Sequence, residues 1–175
     1  DKLYSRFVLA VFDGTKFIKV SQPHYITNPE LIAKNQTPFN DPLTKKGLVI
    51  EIDMLSDAFD LGVKHVTTNI ALSQIMGTGI DYQYDGKTYH FNKGVVDAYD
   101  KTISALSNKG MTVTVILLND WNPNTPDLVY PGTQKNSNAF YYMFNAETEA
   151  GFDQTKAIAS FLAQHYSCLL YTSPS

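Results

Sequence analysis

Gly110-Met111-Thr112-Val113-Thr114-Val115-Ile116-Leu117-Leu118-Asn119-Asp120-Trp121 decides how the chain is read. Thr, Val and Ile crowd the centre of this run, and β-branched side chains fit a pleated surface. Apolar residues continue on both faces toward its end, whereas a strand with one wet face alternates apolar and polar. The run therefore predicts a strand covered on both sides, as in a parallel sheet. Helical patterns from Asn92 to Lys109 and from Glu147 to Tyr166 supply the covering layers. In such sheets chemistry gathers at the carboxyl ends of the strands. Asn119, Asp120 and Trp121, the last being the only tryptophan, lie at that end.

Upstream, Val63 to Ile70 reads as the neighbouring strand, and it too finishes in an asparagine, Asn69. Between the two strands, Asp81–Tyr84 and Lys87–Phe91 flank Asp85-Gly86, a tight-turn pair that predicts a hairpin inserted in a strand-to-helix loop. Asn92 is placed to cap the next helix, whose buried stripe is Val96, Tyr99, Ile103 and Leu106, closed by Gly110. A helix is expected from Lys46 to Leu61, with Ile52, Leu55 and Phe59 inward and Gly62 ending it. Its Asp53, Asp57 and Asp60 tempt a metal reading, but helical spacing makes them a solvated face. At the start, Tyr4 to Val20 reads as a hairpin turning at Asp13-Gly14. Ser21 to Pro29 follows as an extended connector, a weak candidate for an early barrel strand, and Thr37 to Thr44 is loop by composition.

Downstream of Trp121 the chain runs without a periodic pattern through several prolines to Tyr141-Tyr142. Loops longer than about 12–15 residues are uncommon in compact domains unless they bind something or are disordered. The aromatic residues speak for binding. The last helix should bury Phe152, Ile158, Phe161, Leu162 and His165. The order is then βαβα, with a hairpin in one loop and no internal repeat.

A chain of 175 residues, 43% hydrophobic, can bury one substantial core. A net charge of −3 and the lack of a Lys/Arg stripe give no nucleic-acid surface. No apolar run approaches the roughly 18 residues of a membrane span. Cys168 is the one cysteine, so there is no internal disulfide framework. The opening Asp1-Lys2-Leu3-Tyr4 has neither initiator Met nor signal-peptide pattern. The closing eight residues, Cys168 to Ser175, match the translation of TGT CTC TTA TAC ACA TCT CCG AGC, a transposon-derived sequencing adapter. The expectation is a natural chain cut near Ser167, with residues 168–175 as a non-native tail.

Nucleotide loops, an H-E-x-x-H zinc helix and a G-x-S-x-G elbow are all missing. Gly77-Thr78-Gly79 lacks a third glycine and runs into a hairpin. The histidines are scattered, and His65, mid-strand, reads as a hydrogen-bonded interior group. Nothing in the residues calls for a metal or cofactor. What remains is the strand edge. Amides both donate and accept, as sugar hydroxyls do, and an indole stacks on the C–H face of a sugar ring. Asn119 and Trp121 are the leading candidates for holding a carbohydrate, with Asn69, Asp120 and Tyr141 secondary. The competing reading is a turn at Asn119-Asp120 with Trp121 plugging the barrel mouth.

Leu61-Gly62-Val63-Lys64-His65-Val66, the helix from Asn92-Lys93 to Lys109-Gly110, and Val115-Ile116-Leu117-Leu118-Asn119 resemble the early βα units of clan A TIM-barrel glycoside hydrolases. More closely, His24-Tyr25-Ile26-Thr27-Asn28-Pro29-Glu30, Leu61 to His65 and Phe144-Asn145 look like an uncharacterised bacterial family. That family is a domain of unknown function with an expected glycosidase-like barrel. The similarity spans Phe7 to Ser167.

The resemblance implies an α/β fold, the N-terminal part of a (β/α)8 TIM barrel over residues 21–167, preceded by the hairpin of residues 1–20. It implies a parent that hydrolyses glycosidic bonds with two glutamates on later strands, both outside this chain, so no catalytic residue is assigned within it. Glu147 and Glu149 fall where a helix begins and suit its dipole instead. An extracellular or cell-surface location and an oligo- or polysaccharide partner follow from the same resemblance. The alternative is a non-catalytic carbohydrate-binding or adhesion protein on the same scaffold. A barrel ending here also leaves a parallel-sheet edge unpaired, which predicts poor solubility.

Overall fold

The computed structural model describes residues 5–28, 31, 44, 46–136 and 138–166. The expected adapter tail and most of the Thr37–Thr44 loop lie outside the described residues. The described residues fall into two compact units, the first within residues 5–31 and the second within 44–166.

In the first unit, β1 (Ala10–Phe12) and β2 (Phe17–Lys19) pair antiparallel with Val11 opposite Ile18. The turn is made as the Asp13-Gly14 pair demands. Gly14 takes φ +99, and the Asp13 carboxylate accepts from the amides of Thr15 and Lys16 at 2.8 and 2.9 Å. Those two amides hold the Asp13 carboxyl below its ordinary pKa. The connector does not form a barrel strand. His24 pairs antiparallel with Phe7 through bonds of 2.8 and 2.9 Å, so the segment lengthens the hairpin.

The second unit is organised on a three-stranded parallel sheet, in the order β3 (Gly47–Val49), β4 (His65–Ala71), β7 (Thr112–Leu118). The deciding stretch is a strand, and it runs parallel to its predicted neighbour with Thr67 opposite Thr114 and Asn69 opposite Ile116. Two expectations change. The helix drawn from Lys46 begins as a strand; a 3₁₀ turn and a short helix, α1 (Leu55–Asp60), follow it. Gly47 permits the β3–β4 approach, since a Cβ there would fall on the backbone of His65. Ile52, expected inward, is exposed, as are Asp53, Asp57 and Asp60.

The second change concerns cover. Val66, Ile70, Val113, Val115 and Leu117 share one face, and α1, α3 (Lys93–Asn108) and α4 (Glu149–Tyr166) all pack into the clusters that include them. The opposite face carries Thr67, Asn69, Thr114 and Ile116, and it ranges from half-buried to exposed. The sheet is thus covered on one side among the described residues, not on both. Thr112, Thr114 and Thr67 mark the wetter face; the apolar residues between them supply the packed one.

After β4 the chain makes a one-turn helix, α2 (Leu72–Ile75), and then the inserted hairpin, β5 (Gly79–Tyr84) and β6 (Lys87–Asn92). Its turn places Asp85 and Gly86 at φ 50 and 79, the doubly left-handed conformation that Asp-Gly accepts cheaply. The hairpin is two-faced. Ile80, Tyr82, Tyr89 and Phe91 join the main core, where Phe91 stacks on Phe161 at 3.9 Å between centroids. Tyr82 meets both rings edge-on and its hydroxyl pairs with Ser160 at 2.8 Å, fixing the hairpin to α4. The other face is a ladder of polar pairs, Asp81 opposite His90 and Gln83 opposite Thr88.

α3 starts as its sequence predicts, with the Asn92 side chain accepting from the Val95 amide at 3.2 Å, and Gly110 at φ +70 follows its end. Val96, Ile103 and Leu106 are buried and Tyr99 half-buried. In α4, Ile158, Phe161 and Leu162 are buried, but Phe152 is exposed beneath the Lys156 ammonium, 4.5 Å from its ring. His65 is half-buried on the wetter sheet face, and its buried Nε2 has no hydrogen-bond partner, contrary to the bonded interior role expected of it.

Candidate functional site

The long segment after β7 is ordered by its own polar side chains. Asn119 is buried, and its amide nitrogen lies 2.9, 3.1 and 3.4 Å from the carbonyls of Leu128, Met143 and Tyr142. Backbone pairing continues the same contact, with Asp120 bridging Tyr141 and Val129 bridging Phe144. Asn145, also buried, donates to the Asp127 carbonyl and accepts from the amides of Glu147 and Thr148. It closes the loop onto the start of α4. Buried carbonyls need donors, and two asparagines supply them.

Asn119 therefore spends both amide protons on the fold and has no donor left for a ligand. Asp120 is likewise engaged: one carboxylate oxygen accepts from the Ser73 amide at 3.2 Å and the other from the Ser73 hydroxyl. This ties the end of β7 to α2, just past the end of β4. Asn69 is not at its strand's end. The strand runs on to Ala71, and Asn69 sits exposed on the wetter face opposite Ile116. Asn119 lies three residues further along the register, about 10 Å at 3.3 Å per residue. Trp121 is 36% exposed, and the Lys135 ammonium stands 3.4 Å from its ring centroid, taking up one face of the indole. Tyr141 is exposed beside Asp120. The structure thus gathers Asn119, Asp120 and Tyr141, sets Trp121 at their margin, and leaves Asn69 apart.

Beside them lies a cleft of about 740 Å³ that sequence reasoning missed. One wall is the polar face of β6, where Thr88, His90 and Asn92 alternate with the core-facing Tyr89 and Phe91. Ser73 and Gln74 of α2 line a second side, Asn122, Asn124 and Thr125 after β7 a third and Gln154 of α4 a fourth, with Met76, Gly77, Tyr89 and Val95 between them. Ser73 and Asn122 follow the carboxyl ends of adjacent parallel strands, so the cleft opens where a parallel sheet concentrates its chemistry. Asp120 sits one step behind the wall, holding Ser73.

Among the lining residues no Asp, Glu, Lys or Arg occurs, and His90 is the one histidine. Asn92 and Asn122 use a side-chain oxygen locally, on Val95 and Asn124. Gln74, Asn124 and Gln154 make no side-chain hydrogen bond among the described residues, so their amides are free to donate and accept. Such a surface suits an uncharged ligand rich in hydroxyls. No group of three or more His, Cys, Asp or Glu placed to hold a metal occurs among the described residues. No helix of the described residues is long and apolar enough to cross a membrane.

The missed residues carry one faint sequence signal, the alternation Thr88-His90-Asn92 in a hairpin strand whose other face is aromatic. Gln74, Asn124 and Gln154 carry none, because they are scattered over 81 positions, from 74 to 154. A family model described as a family of unknown function, DUF5722, matches residues 38–170, which takes in every described residue of the second unit. No curated protein and no solved structure matches the chain. The glycoside hydrolase resemblance has no counterpart in these comparisons.

Proposed function

Because the chain belongs to DUF5722, a family of unknown function, its activity has to come from the site, and we propose that it binds a neutral carbohydrate in the cleft. The observation that carries this reading is the chemistry of the lining. Free amides from three separate elements converge on one opening with no fixed charge among them. Each amide pairs with a hydroxyl in either sense, whereas an anionic ligand would find no cation there. Trp121 and Tyr141, exposed residues next to Asp120 in sequence and in backbone pairing, offer apolar faces on which a longer ligand can rest once Lys135 moves off the indole.

The scaffold in this proposal is part of a β/α barrel. Parallel strands, helices packed on one sheet face only, and a cleft at the carboxyl edge all support it. Retaining hydrolysis requires two carboxyls about 5–5.5 Å apart. Asp120, the carboxylate at the end of β7, is already tied to Ser73. Binding is therefore the role proposed for this chain. Hydrolysis of extracellular or cell-surface glycans would in addition need two suitably spaced carboxyl groups.

Affinity electrophoresis tests the reading. Neutral polysaccharides (hydroxyethyl cellulose, galactomannan, dextran) cast into native gels should retard the protein, and polygalacturonate should not. Removing two ligand-facing amides with Gln74→Ala and Asn124→Ala should weaken retardation about ten-fold, at 0.5–1.5 kcal/mol per contact. Equal retardation of the double variant and the parent sinks the proposal.

A further inference from the structure

We propose that His90 is the specificity-determining residue of the cleft, accepting a hydrogen bond from a free hydroxyl of the ligand; this rests on the carbohydrate reading above. His90 is directly opposite Asp81 across the hairpin, and its Nδ1 lies 2.8 Å from an Asp81 carboxylate oxygen. An ionised carboxylate only accepts, so Nδ1 carries the proton and Nε2 of the neutral ring is left with a lone pair. Thr88, His90 and Asn92 stand on the hairpin face that walls the cleft, which directs the imidazole toward the same opening as the free amides.

The amides and the imidazole read a ligand differently. An amide accommodates a hydroxyl, an ether or an acetyl oxygen, because it can donate as well as accept. A lone pair at Nε2 requires a donor. His90 therefore selects a ligand with an unsubstituted hydroxyl at one position and rejects the O-methyl or O-acetyl derivative there. The charged group facing His90 is Asp81 on β5. Across the cleft, Ser73, Gln74, Asn122, Asn124, Thr125 and Gln154 bring no titratable side chain.

Two measurements test this. Long-range ¹⁵N–¹H NMR on the ligand-free protein at pH 8 should show the Nδ1–H tautomer of His90, and Asp81→Ala should mix it with the Nε2–H form. Affinity electrophoresis at pH 8 should show retardation by the best-retarding neutral polysaccharide and little by its O-methylated derivative, which lacks the hydroxyl proton. His90→Gln, whose amide donates as well as accepts, should retain binding and allow retardation by the O-methylated derivative. His90→Ala should weaken binding about five- to ten-fold at pH 8, the loss of one hydrogen bond. An Nε2–H tautomer in the parent protein, or His90→Ala binding like the parent, overturns the proposal. Failure to bind any polysaccharide overturns the carbohydrate reading and this inference with it. Binding that ignores His90 overturns this inference alone.

Discussion

Asn119→Ala separates a structural role from a ligand-binding one, because the two predict different losses. The Asn119 amide nitrogen is within 2.9 Å of the Leu128 carbonyl and 3.1 Å of the Met143 carbonyl, with Tyr142 further off at 3.4 Å. Two protons make two good bonds, so two carbonyls lose a donor when the side chain is cut. Neither is left bare. Leu128 still accepts from the Asn145 amide at 3.0 Å, and Met143 from the Tyr130 amide at 3.1 Å. The cost is therefore at the low end for buried groups, about 1 kcal/mol each and about 2 kcal/mol together. For a chain of this size that corresponds to a fall in melting temperature of about 4–8 °C. Urea unfolding should show a lower midpoint with an unchanged slope, and amide exchange should quicken from Leu128 to Met143. A variant that loses less than about 0.5 kcal/mol, within the range of a surface substitution, refutes the assignment.

Three further outcomes follow from the same geometry. Gly151→Ala places a methyl group on the Asn145 amide and the Asp127 carbonyl, and should cost about 1–3 kcal/mol of stability by chemical denaturation. Asp153 is bonded by Lys156 and Lys87, at 2.8 and 2.9 Å, and these lower its carboxyl from 3.8 to about 2. The unfolded chain takes up that proton first, so the contribution is present above about pH 4 and is lost as the pH falls toward 2. Asp153→Asn should flatten the urea-midpoint profile in that window; an unchanged slope removes the pair from the account. β7 pairs with β4 on one side and with no strand on the other among the described residues, and Ile116 on it is 44% exposed. Ile116→Lys should therefore raise the soluble fraction at high concentration with little change in unfolding midpoint; unaltered association would point to another surface.

Much of the fold was legible because local chemistry and tertiary structure agree there. Asp13-Gly14 and Asp85-Gly86 turn where their backbone freedom says they should, and Asn92 caps the helix it precedes. The β-branched run of β7 predicted both its conformation and its parallel neighbour. β3 was missed because Gly47-Leu48-Val49 is too short to establish a period before an amphipathic helical pattern takes over. The sheet's second face was misjudged because Ile116, apolar but exposed, mimics the continuous run of a strand buried on both sides.

The site was less legible, for a different reason. Asn119 and Asp120 look available in the sequence, and what occupies them is a carbonyl cluster and a serine 9 to 47 positions away. No spacing rule announces that loop's return. Conversely, Gln74, Asn124 and Gln154 acquire meaning only when α2, the segment after β7 and α4 converge.

Whether the cleft holds a neutral carbohydrate can be read residue by residue from amide chemical-shift mapping. The ¹⁵N-labelled protein is titrated with oligosaccharides from the polysaccharide that retards it. Saturable shifts should cluster on Gln74, Thr88, His90, Asn124 and Gln154, with Asn69, Thr114 and Ile116 unmoved. Shifts confined to those three residues of the open sheet face, or no shifts at saturating sugar, would contradict it.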